Sequence, residues 1–202
     1  MDSKRLRIPG SREIKATLDT PSTGADQVVV ACPPHPQMGG DRRDARLRAA
    51  SEALCERGVA CLRVDYGPYD EGRAERGDVR QALEWGRERY ERVGLFGYSF
   101  GAGVALVAAA EECGAETPPA AVSVLAPPAS SGGESTVEAV DEVTVPLQVV
   151  YGERDGTVDW EPVVERAREH DATVASVDAG HFFTGAQSEV AGLVAEFLAG
   201  ER

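Results

Sequence analysis

Short runs of continuous apolar residues alternate along this chain with longer stretches in which apolar positions recur every three or four residues. Gln27–Cys32, Ala60–Val64, Arg92–Gly97, Ala120–Ala126, Leu147–Tyr151 and Thr173–Val177 are β-branched or small apolar runs, the pattern of strands buried on both faces. Between them, Arg42–Arg57 carries Ala45, Leu47, Ala49, Ala50, Ala53 and Leu54 at helical spacing and stops at Gly58. Gly77–Tyr90, Trp160–Glu169 and Ala186–Leu198 also read as helices. Gly101–Cys113 is so rich in Ala and Val that it predicts a helix buried nearly all round. At the start, Lys4–Ile8 and Arg12–Leu18 flank a Pro9-Gly10-Ser11 turn and predict an antiparallel hairpin. Repeated strand–helix–strand order predicts an α/β fold: a mostly parallel sheet of about eight strands, helices on both faces and right-handed crossovers. We expect a single domain over residues 1–202. Pro127–Val145, rich in Ser, Gly, Pro and acids, predicts one long loop.

Composition changes this picture in two ways. The chain has 34 acidic and 21 basic residues, a formal charge of -13. Such a field repels nucleic acid and anionic membranes, so neither is an expected partner. Lys4 and Lys15 are the only lysines, and an acid-rich, lysine-poor surface resembles proteins of salt-loving microbes. Self-repulsion then predicts a lower melting temperature in dilute buffer than in molar KCl, and equal melting temperatures would remove that expectation. Apolar runs fall well short of the roughly 20 residues that span a bilayer. Met1–Arg7 is charged with no apolar stretch behind it, which reads as leaderless and cytoplasmic. Cys32, Cys55, Cys61 and Cys113 lack metal-site spacing and read as buried small residues.

The sharpest chemical signal is Gly97-Tyr98-Ser99-Phe100-Gly101, placed between a strand and a helix. That context suits a strained turn that lifts a serine hydroxyl above the sheet edge, with the helix N-terminus behind it. A serine needs a base to take its proton and a carboxylate to orient that base. Among the three histidines, His181 follows the last strand and opens at the same sheet edge, whereas His170 ends a charged helix. For the carboxylate, Asp155 is favoured over Asp159 and Glu153 because it lies close to a strand end and before a turn-forming glycine. The order Ser99, Asp155, His181 is that of α/β hydrolases.

With Pro34-His35-Pro36-Gln37-Met38-Gly39-Gly40, Gly152-Glu153-Arg154-Asp155 and Gly180-His181-Phe182-Phe183 added to the serine motif, the chain resembles the α/β-hydrolase superfamily. Within it, the likeness is to small lidless members related to dienelactone hydrolases. The resemblance implies an oxyanion hole from the main-chain N–H of Phe100 and a second from the His35 loop. Pro36 has no N–H, so Gln37 is the first choice and Met38 the second. His35 then shapes the loop, and with Met38, Tyr66 and Tyr69 it lines the substrate pocket. Relatives with this loop often carry Arg-Gly-x-Gly where this chain has Asp65-Tyr66-Gly67-Pro68; acids there disfavour anionic substrates. A typical dienelactone hydrolase uses cysteine where Ser99 stands. The expected activity is therefore a serine esterase or acyl hydrolase acting on small ester-like molecules without metal or organic cofactor. The alternatives are a non-catalytic ligand-binding relative, or a hydrolase of thioester, lactone or peptide bonds. No oligomeric state is implied.

Overall fold

The computed structural model describes residues 1–200. In chain order the elements are β1 (Asp2–Ile8), β2 (Ile14–Thr20), β3 (Gln27–Cys32), α1 (Ala45–Glu56), β4 (Ala60–Val64), α2 (Arg73–Arg87), β5 (Arg92–Tyr98) and α3 (Phe100–Glu112). They continue with β6 (Val122–Leu125), β7 (Ser130–Ser131), β8 (Glu134–Ser135), α4 (Thr136–Glu142), β9 (Leu147–Gly152), α5 (Glu161–Glu169), β10 (Thr173–Val177) and α6 (Gln187–Ala199). Eight strands form one sheet in the order β1-β2-β4-β3-β5-β6-β9-β10. The β1–β2 and β2–β4 pairings are antiparallel and the rest parallel.

The sheet separates two apolar cores because successive strand residues point to opposite faces. In β3, Val28, Val30 and Cys32 enter the core under α2, α3, α4 and α5, while Val29 and Ala31 enter the one under α1 and α6. Both faces of β3, β4 and β9 are wholly buried, which explains why apolar residues dominate their sequences. Helix α3 buries 11 of its 13 residues, as its missing polar face requires.

Three of the differences from the sequence expectation have a clear local cause. Helix α1 starts at Ala45 rather than Arg42, because the Asp44 side chain accepts a hydrogen bond from the Arg46 N–H and caps the helix there. Helix α2 starts at Arg73, not Gly77; Gly72, at φ 101°, begins it, and the Glu75 carboxylate accepts the Gly72 N–H. The stretch 127–145 is not one loop. It folds into the β7–β8 hairpin and α4, whose Ser135 hydroxyl caps the Glu138 N–H and whose Thr136, Ala139 and Val140 are buried.

The antiparallel hairpin is anchored by a buried charge network. The Asp19 carboxylate accepts hydrogen bonds from the hydroxyls of Ser3 (2.5 Å) and Ser51 (2.6 Å) and from Arg63 Nε (2.7 Å), joining β1, β2, α1 and β4. Burial alone would push this carboxyl up, but those three donors outweigh it and hold it below its usual range. A depressed folded-state value stabilises above the unfolded value of about 3.9 and is lost as pH falls through the folded one. Asp19→Asn leaves Arg63 buried without its counter-charge and is expected to lower stability by about 3–5 kcal/mol near neutral pH. Urea unfolding checks this: the gap from wild type narrows in acid, and a gap independent of pH contradicts the assignment.

Candidate active site

At the end of β5 the chain turns through Ser99 at φ 57° and ψ -122°, a conformation that costs a non-glycine residue about 1–3 kcal/mol. The flanking glycines make it possible. A Cβ at position 97 would strike the Gly101 carbonyl and the Ala102 Cα, and one at position 101 would strike the carbonyls of Cys32 and Pro33. The Ser99 N–H donates to the Leu125 carbonyl (2.8 Å), which ties the turn to β6. Phe100 begins α3, and its own N–H has no acceptor among the described residues.

Two further loops meet this turn. The Ser99 hydroxyl lies 2.9 Å from His181 Nε2, and His181 Nδ1 lies 2.7 Å from Asp155 Oδ2. An ionised carboxylate only accepts, so Nδ1 carries the ring proton and Nε2 presents its lone pair to the serine. Asp155 is held in turn: its Oδ1 accepts the Thr157 N–H (2.9 Å), and its main-chain carbonyl accepts from Trp160 Nε1 (2.9 Å). Both side chains are buried, at 6% and 0% exposure, so water competes little for these hydrogen bonds. The acid and base loops are also stitched by the Arg154 N–H donating to the Ala179 carbonyl (3.0 Å). Of the other two carboxylates weighed, Glu153 accepts the Ser176 hydroxyl (2.8 Å) and Asp159 is exposed. His170 ends α5 and pairs with Asp141 (2.9 Å), apart from this cluster.

The loop after β3 makes a short 3-10 turn over Pro36–Met38. His35 Nδ1 accepts the Gln37 N–H at 3.3 Å, while the Met38 and Gly40 N–H groups both donate to the His35 carbonyl at 3.0 Å. The Met38 N–H is thus committed to the turn, whereas that of Gln37 is held only by the longer contact to the His35 ring. His35 shapes this loop through both its ring and its carbonyl.

An aromatic wall stands beside the serine. The His35 ring lies 4.9 Å from both Tyr69 and Phe100, and Tyr66 meets Phe100 edge-on at 5.8 Å. The Tyr66 hydroxyl donates to the Pro33 carbonyl (3.3 Å), and burial leads the causes that push its phenol well up. Apart from Met1, the exposed large apolar side chains are Met38 at 85% and Phe182 at 61%, each next in sequence to a residue of the site.

Some supports were not foreseen. Tyr98, the variable position of the serine motif, donates its hydroxyl to the His181 carbonyl (3.0 Å) and lies beneath the Arg46 guanidinium at 4.7 Å. Burial pushes its phenol up to about 12, which keeps it a donor. Buried Glu75 accepts the N–H groups of Asp70 (2.8 Å) and Gly72 (2.9 Å), and buried Asp78 accepts that of Gly67 (2.9 Å). These two acids pin the loop that carries Tyr66 and Tyr69. Their helical spacing of three was the one available signal, and it is shared with ordinary solvated helix faces. Among the described residues no group of His, Cys, Asp and Glu has the arrangement of a metal site, and no helix is long and apolar enough to cross a membrane.

Comparison with known proteins follows the same lines. A lidless α/β serine hydrolase from Xanthomonas campestris is 26% identical, with a TM-score of 0.79, 96% of this chain covered and 92% of that one. An α/β serine hydrolase homologue from Coxiella burnetii is 24% identical, with a TM-score of 0.82 and coverage of 96% and 97%. An esterase from Pyrococcus furiosus is 20% identical, with a TM-score of 0.79 and coverage of 98% and 90%. No curated protein matches significantly. Residues 68–195, which run from the Tyr69 loop through the Ser99 turn to α6, match the dienelactone hydrolase family, so the chain belongs to that family and is a hydrolase.

Proposed function

We propose that this protein is a serine esterase that cleaves small, uncharged esters through an acyl-serine intermediate. The observation that carries the reading is the continuous hydrogen-bonded chain from Ser99 through His181 to Asp155. In the first half-reaction Ser99 Oγ bonds to the ester carbonyl carbon as its proton passes to His181 Nε2. Asp155 stabilises the resulting imidazolium and does not itself take the proton. The oxyanion is met by the Phe100 and Gln37 N–H groups, each typically worth about 10²–10³ in rate. His181 then gives its proton to the departing alkoxide. In the second half-reaction it activates water, which releases the acid and restores Ser99.

The substrate class follows from the walls. His35, Tyr66, Tyr69 and Phe100 offer apolar faces, and exposed Met38 and Phe182 extend them outward. Asp65, Asp70 and Glu71 lie in the same loop as the two tyrosines; Arg42 pairs with the first and Arg73 with the other two, and the one negative charge left over disfavours anionic acyl groups. Four unpaired thiols fit a reducing, cytoplasmic setting, and the -13 charge fits a salt-rich one. A panel of p-nitrophenyl esters in molar KCl tests the reading. Acetyl and butyryl esters are expected to be cleaved at least tenfold faster than the succinyl ester. Turnover of no ester, or preference for the succinyl ester, overturns it.

A further inference from the structure

Away from the Ser99 cluster, the antiparallel edge of the sheet gathers positive charge. Arg5 of β1, Arg63 of β4, Arg42 and Arg43 of the loop before α1, and Arg48 of α1 line a recess of about 400 Å³. Ser3 and Thr17 complete the lining, and no described carboxylate takes part in it. A neighbouring recess of about 240 Å³ shares Arg5 and Arg42 and adds Arg7 and Lys15. Seven of the 21 basic residues of a chain with net charge -13 therefore meet on one face.

Strand register explains the convergence, since Arg5 pairs with Thr17 and Thr17 with Arg63 across three strands. Three of the five arginines are ion-paired. Arg63 donates to Asp19 (2.7 Å) and to the Arg42 carbonyl (2.5 Å); Arg42 donates to Thr17 Oγ1 (3.2 Å) and pairs with Asp65; Arg43 pairs with Asp41. Arg5 and Arg48 form no ion pair with any described residue. The recess thus carries its surplus of positive charge on Arg5 and Arg48, two exposed side chains, beside three arginines that aspartates already pair.

We propose that this recess is a binding site for a small multivalent oxyanion, a diphosphate-bearing molecule being the class that fits. Guanidinium groups present planar donor pairs that match phosphate oxygens. Two linked phosphate groups can neutralise Arg5 and Arg48 together, whereas a single monovalent anion cannot. The surrounding negative field turns away nucleic acid, whose many phosphates extend beyond the recess.

Inorganic pyrophosphate is the probe, with orthophosphate and sodium chloride as comparison anions. Isothermal titration is run at a fixed NaCl concentration at which circular dichroism shows both wild type and variant natively folded. Pyrophosphate is expected to bind at least tenfold more tightly than orthophosphate. The double variant Arg5→Ala/Arg48→Ala, altered only at exposed side chains, is expected to bind pyrophosphate at least tenfold more weakly. The same variant should hydrolyse p-nitrophenyl acetate at the wild-type rate. Pyrophosphate heat no different from that of chloride, or equal affinity in the variant, overturns the proposal.

Discussion

Ser99→Ala is expected to lower kcat for ester hydrolysis by about 10⁵–10⁶-fold while leaving the fold intact. Alanine lacks the oxygen that bonds to the acyl carbon, so His181 and Asp155 have no nucleophile to activate. Residual turnover should remain some 10³–10⁴-fold above the uncatalysed reaction, because the Phe100 and Gln37 N–H groups still stabilise an oxyanion formed by water. Alanine accepts the φ of 57° no better and no worse than serine, so the melting temperature should hold steady. Initial rates with p-nitrophenyl acetate, read beside a melting curve, check both statements. A variant that keeps a tenth of wild-type activity would remove Ser99 from the chemistry.

Asp155→Asn is expected to lower kcat by about 10⁴-fold, although it changes one atom. The geometry dictates how. The Thr157 N–H donates to Asp155 Oδ1, so an asparagine oxygen must take that place and the NH₂ must face His181 Nδ1. A donor opposite Nδ1 forces the imidazole proton onto Nε2, the nitrogen that faces the serine. The base then holds a proton where it needs a lone pair. Raising pH does not rescue this, because the defect is a tautomer and not a titration. Loss of activity below tenfold would show that Asp155 only packs against the ring.

The core of the site could be read from the chain because each part lies in a short, local motif at the end of a strand. Ser99 needs glycines two residues to either side, and those are visible as letters. Asp155 and His181 stand just after apolar runs that end at the same edge of a parallel sheet. What escaped was made by contacts between distant segments or hidden by polar composition. Helix α4 is the run Thr-Val-Glu-Ala-Val-Asp-Glu, whose few buried positions are masked by acids and by the glycines just before it. The first turn of α2 is Arg73-Ala74-Glu75-Arg76, and only the structure shows that Glu75 is fully buried against the Gly72 loop. Acids are mostly exposed, so neither Glu75 nor Asp78 announces itself as a loop anchor. The Tyr98 hydroxyl reaches a carbonyl 83 residues away, and no linear pattern encodes that hydrogen bond. The arginine recess is likewise assembled by pairing β1 with β2 and β2 with β4.

The most direct test of the central claim is covalent trapping by a fluorophosphonate, located by mass spectrometry of the digested protein. A serine whose hydroxyl faces a histidine lone pair at 2.9 Å should react stoichiometrically, at Ser99 alone, and lose all ester hydrolysis as it does so. His181→Ala should slow that labelling by several orders of magnitude while the protein remains folded. Labelling at another residue, or full ester hydrolysis by protein whose Ser99 is modified, would contradict the account.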